Sequence, residues 1–280
     1  MMDVEAVLKQ ALDLGEEQRF EEMAQLLAQA LEDEPDEPYL LGWLGVAERE
    51  LGNDGAAYDY FKRCIAAEPV DPQLLALAGA GLAAFDDPDA ESTLRAAALT
   101  GPELAITRLQ YGAYLAREGV FGEALEQLEA AARIEPDDPV VHGEIGIAHA
   151  LKGDLRSAAT AMEHALTLAE DDSWTRLLLG LVLAEMNRRE DAAEQLTRAA
   201  LERPQDGEAQ VLAALAAAAV GWDDAAQDAL ARAEYADEGA DATTLADAEE
   251  RLAAGPDQAA ALLRDTLGPS ILHERLTQPL

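Results

Sequence analysis

The chain has 280 residues, 49% of them apolar and 5% aromatic, and 56 acidic against 20 basic side chains give a net charge of −36. Such a charge repels nucleic-acid phosphates and anionic membrane surfaces, so neither is an expected partner, whereas basic protein segments are compatible. An acidic surface is also typical of a salty cytoplasm or a GC-rich genome, so it does not by itself identify a partner. The single cysteine, Cys64, excludes an internal disulfide framework and any cysteine-based metal site.

The first residues are acidic and favour a helix. They lack the basic start and apolar stretch of a secretory signal. The longest runs without charge, 72–85 and 209–222, have 14 residues each. A membrane span needs about 18, so we expect no membrane insertion and a cytoplasmic protein.

Prolines recur along the chain at intervals of 34, 33, 34 and 68 residues, the last being twice 34. They are Pro35, Pro69, Pro102, Pro136 and Pro204. The same small and large residues precede them each time. One unit reads Leu44-Gly45, then Ala57-x-x-x-Phe61, and a later one reads Leu179-Gly180, then Ala192-x-x-x-Leu196.

This pattern resembles the tetratricopeptide repeat, with its signature W-x₂-L-G-x₂-Y, then A-x₃-F, then P. The resemblance covers residues 4–267, and it departs from the signature at the opening Trp, which is Leu41, Arg108, His142 or Arg176 here. It implies an all-α fold, a right-handed superhelix (α-solenoid) of antiparallel helix pairs with about seven to eight units.

The register divides residues 1–268 into a repeat array and leaves residues 269–280 as a C-terminal tail. We interpret the repeat units as 4–37, 38–71, 72–104, 105–138, 139–172, 173–206, 207–240 and a weak terminal cap at 241–268. Atypical first and last units are expected, because one face of each meets water.

The small residue in each unit is predicted to lie where the two helices of a pair cross most closely. Gly45, Gly112, Gly146 and Gly180 occupy this slot. The turns within pairs contain Gly52, Gly119, Gly153, Asn187 and Gly221, residues that suit the end of a helix.

The first helices of the pairs carry almost no charge, whereas the second helices are strongly charged. The resemblance places the first helices on a concave surface, where their free apolar sides would form a groove. An apolar stripe of this size rarely stays exposed, so we predict that it binds an apolar or amphipathic segment of a partner protein. The predicted groove residues are Tyr39, Trp43, Val46, Ile106, Leu109, Val140, Ile147, Trp174, Leu177, Leu181, Val211 and Leu215.

The resulting hypothesis is an interaction scaffold or chaperone-like adaptor, with Trp43 and Trp174 as anchors. Two alternatives stay open. Tight winding of the array could bury the stripe without any partner. The tail could instead fill the groove of its own chain or of another copy, making a self-assembling, homo-oligomeric scaffold, through Ile271, Leu272, Leu276 and Leu280.

No motif for chemistry stands out, and we expect no enzyme, catalytic residue, cofactor or metal site. His142 and His149 are seven residues apart on one predicted helix, about 10 Å along its axis, which is too far to share a metal ion. The acidic clusters, such as Asp137-Asp138 and 170–172, fall in turns and lack the spacing of a calcium loop, so we interpret them as solvated turns and helix caps.

Overall fold

Alanine and leucine dominate the apolar content of this chain, and both favour helices because they lose little side-chain freedom there. The computed structural model describes residues 3–236 and 240–277, and within these ranges it contains helices and no strand. Consecutive helices joined by short turns pack against each other as adjacent pairs. The predicted all-α class of stacked helix pairs is confirmed.

The helices fall into two compact blocks that divide after Glu135, and each block is described by itself. The N-terminal block contains α1 Val4–Glu16, α2 Phe20–Asp33, α3 Pro38–Glu50, α4 Asp54–Ala66, α5 Pro72–Ala83, α6 Asp89–Thr100, α7 Ala105–Arg117 and α8 Phe121–Ile134. The C-terminal block begins with α9 Pro139–Leu151, α10 Leu155–Leu168, α11 Ser173–Glu185, α12 Arg189–Glu202, α13 Gly207–Ala219 and α14 Asp223–Ala233. It ends with α15 Ala242–Ala254, α16 Pro256–Leu262, a π-helical turn Leu263–Leu267 and α17 Gly268–Thr277.

In the five pairs from α3–α4 to α11–α12, a glycine on the first helix faces a large side chain on the second. A Cβ atom added at Gly45 would lie 2.7 Å from Phe61 Cε1, and one added at Gly180 would lie 2.6 Å from Leu196 Cγ. Real Cβ atoms do not approach other atoms so closely, so only glycine fits without a shift of the neighbour. The predicted close crossing is therefore confirmed in both blocks.

The turn inside each pair uses one residue in the left-handed backbone region. Gly52, Gly119, Gly153, Asn187 and Gly221 have φ values between 58° and 84°. Glycine and asparagine adopt this conformation at little cost and end a helix by turning the chain sharply. These residues are the ones that the sequence places in the turns.

Except for α7, the first helices begin with acidic residues that cap them. Asp71 accepts hydrogen bonds from the backbone N–H groups of Gln73 and Leu74, and Asp172 does the same for Trp174 and Thr175. A carboxylate at this position satisfies N–H groups that have no partner inside the helix. The capping role assigned to the acidic turns is thus borne out here.

Polar side chains replace the tryptophan of the repeat signature for a structural reason. Arg108 Nε donates to the Pro102 carbonyl oxygen at 2.7 Å, and a ring nitrogen of His142 lies 2.7 Å from the Pro136 carbonyl oxygen. Arg176 donates to the Glu170 carbonyl oxygen and, at 3.0 Å, to the Glu202 carboxylate. These side chains hold the loop that leads into their own helix pair, which accounts for the departures from the signature.

Candidate protein-binding faces

The first helices of successive pairs lie side by side, and their outward sides form what we call the first-helix face of each block. In the N-terminal block this face belongs to α1, α3, α5 and α7, and in the C-terminal block to α9, α11 and α13. In the N-terminal block, neighbouring first helices contact each other. All twelve residues of the predicted groove lie on the first helices of the two blocks.

On the N-terminal block, the predicted groove residues keep part of their surface accessible. Tyr39, Trp43 and Val46 on α3 are half-buried against the core of this block. Ile106 at the start of α7 is 38% exposed, whereas Leu109, one turn later, is buried. The face therefore carries half-buried aromatic side chains, Tyr39 and Trp43, together with a buried leucine, Leu109.

Two further residues of this face were missed in the sequence. Leu77 on α5 and Tyr114 on α7 are half-buried against the same core. A Cβ atom at Gly42 of α3 would lie 3.3 Å from Leu77 Cδ2, so Leu77 packs beside α3. The signal that could have identified Leu77 is its repeat position, which is that of Trp43, 34 residues earlier.

Acidic groups surround the tyrosine at the start of this face. Burial raises the pKa of Tyr39, and the nearby carboxylates of Asp71 and Glu37 raise it further. Both carboxylates also cap helices, since Glu37 accepts from the Leu40 N–H group at 2.7 Å. The start of the face is thus negative and suits a cation on a bound segment.

On the C-terminal block, the corresponding side chains are covered. Leu177, Leu181, Val211, Leu215 and Ile147 are buried, and every residue of α11 from 175 to 184 is buried as well. Two predicted groove residues differ, because Trp174 is half-buried and Val140 is 50% exposed. Most of the predicted groove residues on this block are therefore buried, so the block lacks the accessible apolar stripe that the sequence predicts.

Helices α16 and α17 of the same chain pack over these side chains. α16 packs against α13 as well as α15, and α17 then crosses to α11 and touches α9. A Cβ atom at Gly268, the first residue of α17, would lie 3.8 Å from Leu181 Cδ2. Ile271, Leu272 and Leu276 of α17 are buried in the core of this block, while Leu280 lies outside the described residues.

An arginine on α17 anchors this helix by its charge. The Arg275 guanidinium donates to both carboxylate oxygens of Asp206 at 3.2 Å and to Glu208 at 2.9 Å. It also lies 5.5 Å from the centre of the Trp174 ring, and so does the guanidinium of Arg203. The predicted anchor Trp174 therefore contacts a helix of its own chain.

The Asp206 carboxylate accepts hydrogen bonds from both arginines of this contact, Arg203 and Arg275. Burial by itself would raise the pKa of the Asp206 carboxyl. The hydrogen bond from the Ala209 N–H group, together with Arg275 and Arg203, outweighs burial, so the pKa of Asp206 is lowered. Asp206 also caps α13 through the Ala209 N–H group. The sequence shows Asp206 as one of the acidic residues before a first helix, but nothing in the sequence pairs it with Arg275.

Cys64 is a small packing residue. It is fully buried in the N-terminal block, and burial, with a smaller effect from Glu37, raises the pKa of its thiol to about 12. Among the described residues no group of three or more His, Cys, Asp or Glu side chains is placed to hold a metal ion. In the same part of the chain, no helix combines the length and the apolarity that crossing a bilayer requires.

No family model and no curated protein matches this sequence, but solved structures share its fold. The Cut9 and Hcn1 hetero-tetramer of the APC/C has a TM-score of 0.70 at 18% identity, covering 86% of this chain and 48% of the other. The present chain thus spans about half the length of that protein.

Two shorter structures match over nearly their whole length. PilW, described as a widely conserved type IV pilus biogenesis factor, has a TM-score of 0.62 at 19% identity, covering 73% of this chain and 96% of its own. TTC0263, a thermophilic TPR protein of Thermus thermophilus, has a TM-score of 0.53 at 25% identity, covering 64% of this chain and 98% of its own. The chain has the tetratricopeptide-type fold that its repeats indicate.

Proposed function

We propose that this chain is a protein-binding scaffold that holds an amphipathic segment of another protein against the first-helix face of its N-terminal block. One observation carries the proposal. Tyr39 and Val46 occupy the same repeat positions as Trp174 and Leu181, yet Tyr39 and Val46 remain half-accessible while α17 lies against Trp174 and Leu181. A face that takes a helix in one block is suited to take one in the other.

The chemistry of the bound segment follows from α17. That helix presents apolar side chains to α11 and places one arginine against a capping aspartate. The N-terminal block offers the same types of group, with half-buried Trp43 on α3 and Leu77 on α5, and with Glu37 and Asp71 capping the starts of these two helices. The fitting partner is an amphipathic helix with a lysine or arginine near one end.

Charge favours such a partner over longer distances as well. A net charge of −36 attracts basic segments and speeds their encounter at low salt. The setting that we propose is a cytoplasmic, chaperone-like adaptor without catalytic activity of its own. Fractionation of cells that produce the protein would test its location.

The test is a quantitative capture experiment with the full chain and two matched variants. Trp43→Glu places a charge on the proposed face, whereas Trp222→Glu makes the same change in an exposed turn of the other block. We expect one dominant partner to be retained by the wild type and by Trp222→Glu, and to fall at least about tenfold with Trp43→Glu, as for an aromatic hot spot. Circular dichroism would verify that both variants remain helical, and equal capture by the two variants would refute the proposed face.

A second candidate function is a self-assembling scaffold, and α17 is the observation that favours it. This helix already packs on a first-helix face, so the same contact can form between copies by exchange of α17. Light scattering separates the two candidates. A single monomeric species across micromolar concentrations would count against self-assembly and leave the scaffold for other proteins.

A further inference from the structure

The regular stacking of helix pairs ends after α15. Within each block, the second helix of a preceding pair packs on its own first helix and on the next first helix of that block, whereas α16 packs back on α13. The change of direction occurs at Gly255, whose φ of 109° lies in the left-handed region, followed directly by Pro256. Residues 256–277 therefore run over the first-helix face of the C-terminal block and do not extend the array.

The segment that crosses this face is divided by a π-helical turn. Within it, the Gly268 N–H group bonds to the Leu263 carbonyl oxygen. A Cβ atom at Gly268 would collide with that same oxygen, so the turn requires glycine there. Such turns change the direction of a helix and are frequent at functional sites.

On the two sides of this turn the segment is held in different ways. Before it, Arg189 bonds to Asp257 at 2.9 Å and Arg264 bonds to Asn187 at 3.2 Å, which ties α16 and the turn to the end of α11 and the start of α12. After it, α17 is held by its buried apolar side and by Arg275. The Gly268 turn is thus the point at which α17 can separate while α16 stays in place.

α17 is amphipathic and packs on the block through one side, as a bound ligand helix would. Its buried side carries Ile271, Leu272 and Leu276, whereas His273, Glu274 and Thr277 are exposed. Its one basic group lies between two carboxylates and an indole ring. Because α17 has only ten residues, its separation exposes far less apolar surface than unfolding of the block would.

We propose that the first-helix face of the C-terminal block is a second binding site, for an amphipathic helix that carries an arginine or lysine, and that α17 is its internal, displaceable occupant. This inference rests on the proposed use of first-helix faces for protein binding, but it concerns a different block. An external helix binds only when α17 is released, so its apparent affinity equals the intrinsic affinity multiplied by the fraction of molecules in which α17 is released.

The experiment uses the full chain and a fluorescent peptide with the sequence of residues 263–277 as the probe, with binding followed by anisotropy. Arg275→Glu in the protein places a negative charge beside Asp206 and Glu208 and releases the internal helix, while the peptide keeps its arginine. We expect Arg275→Glu to bind the peptide at least about tenfold more tightly than the wild type.

Two controls define the site. Arg251→Glu makes the same change at an exposed pair with Asp247 on α15, and it should bind the peptide no better than the wild type. A peptide in which the arginine is replaced by glutamate should bind Arg275→Glu at least about tenfold more weakly than the original peptide, because the carboxylate pair then repels it.

A second variant tests whether the result with Arg275→Glu arises only because the new charge disturbs folding. Leu272→Asp removes an apolar contact of α17, keeps Arg275, and should raise peptide affinity in the same way. If neither Leu272→Asp nor Arg275→Glu binds the peptide better than the wild type, the proposal is wrong. Trp43→Glu should leave peptide binding unchanged, so this outcome is separate from failure of the site on the N-terminal block.

Discussion

The two first-helix faces come from the same repeat but differ in how they are covered. At one repeat position the N-terminal block carries Tyr39 and the C-terminal block Trp174, and at another they carry Val46 and Leu181. Tyr39 and Val46 are half-buried, whereas Leu181 is buried and Trp174 contacts Arg275 of the same chain. The comparison teaches that the repeat builds an apolar face and that a separate terminal helix decides whether the face is available.

The largest expected difference between the faces concerns truncation of the matched aliphatic residues. Leu181→Ala leaves a cavity in a fully packed site and should lower the free energy of unfolding by about 2–5 kcal/mol. Val46→Ala removes a half-accessible group and should cost about 1 kcal/mol or less. Guanidinium unfolding followed by circular dichroism measures both, and equal losses would show that the two faces are equally packed.

A smaller effect is expected from a methyl group at the π-helical turn. Gly268→Ala forces the new Cβ against the Leu263 carbonyl oxygen and should weaken docking of α17 by about 1–3 kcal/mol. Amide hydrogen exchange in residues 268–277 should then accelerate by roughly tenfold or more, while α3 in the N-terminal block keeps its wild-type rates. Unchanged exchange in α17 would mean that the turn adapts and that Gly268 does not govern docking.

The smallest difference should appear as a pH dependence of the C-terminal block. The pKa of Asp206 is lowered in the folded protein, so the stability contributed by its ionised form is complete above the unfolded value of about 3.9. This contribution is lost as the pH falls through the folded pKa. The gap in unfolding free energy between the wild type and Asp206→Asn should therefore shrink from pH 6 to pH 3.

The matched control is Asp71→Asn, which changes a helix cap on the N-terminal block. At pH 6 we expect its gap from the wild type to be smaller than that of Asp206→Asn, because the cap at Asp206 also holds two guanidinium groups. Equal gaps for the two variants at pH 6 would contradict the role assigned to Arg275.

Much of the helix-pair architecture could be predicted because its determinants are local. Gly45 with Phe61 and Gly180 with Leu196 lie in one pair each, at a fixed spacing along the chain. The turn residues Gly52 and Asn187 likewise act through their own backbone conformation. Contacts of this range recur in every unit, so their pattern is visible as a repeat.

The candidate site could be predicted only as a set of apolar first-helix residues. Leu177 and Leu181 show the same apolarity in the sequence as Trp43 and Val46, because a side chain covered by a partner and one covered by its own chain obey the same hydrophobic pattern. The position of Arg275 beside Asp206 joins residues 69 positions apart and depends on the path of the chain after Gly255.

The sequence by itself determined the helices, their pairing and the apolar character of the first-helix faces, because these follow from residue spacing within one or two helices. Only the tertiary structure decided which face is covered. That outcome depends on the direction taken at Gly255 and at the π-helical turn, and on the fit of α17 against α11. Such a fit is a long-range contact that no local spacing encodes.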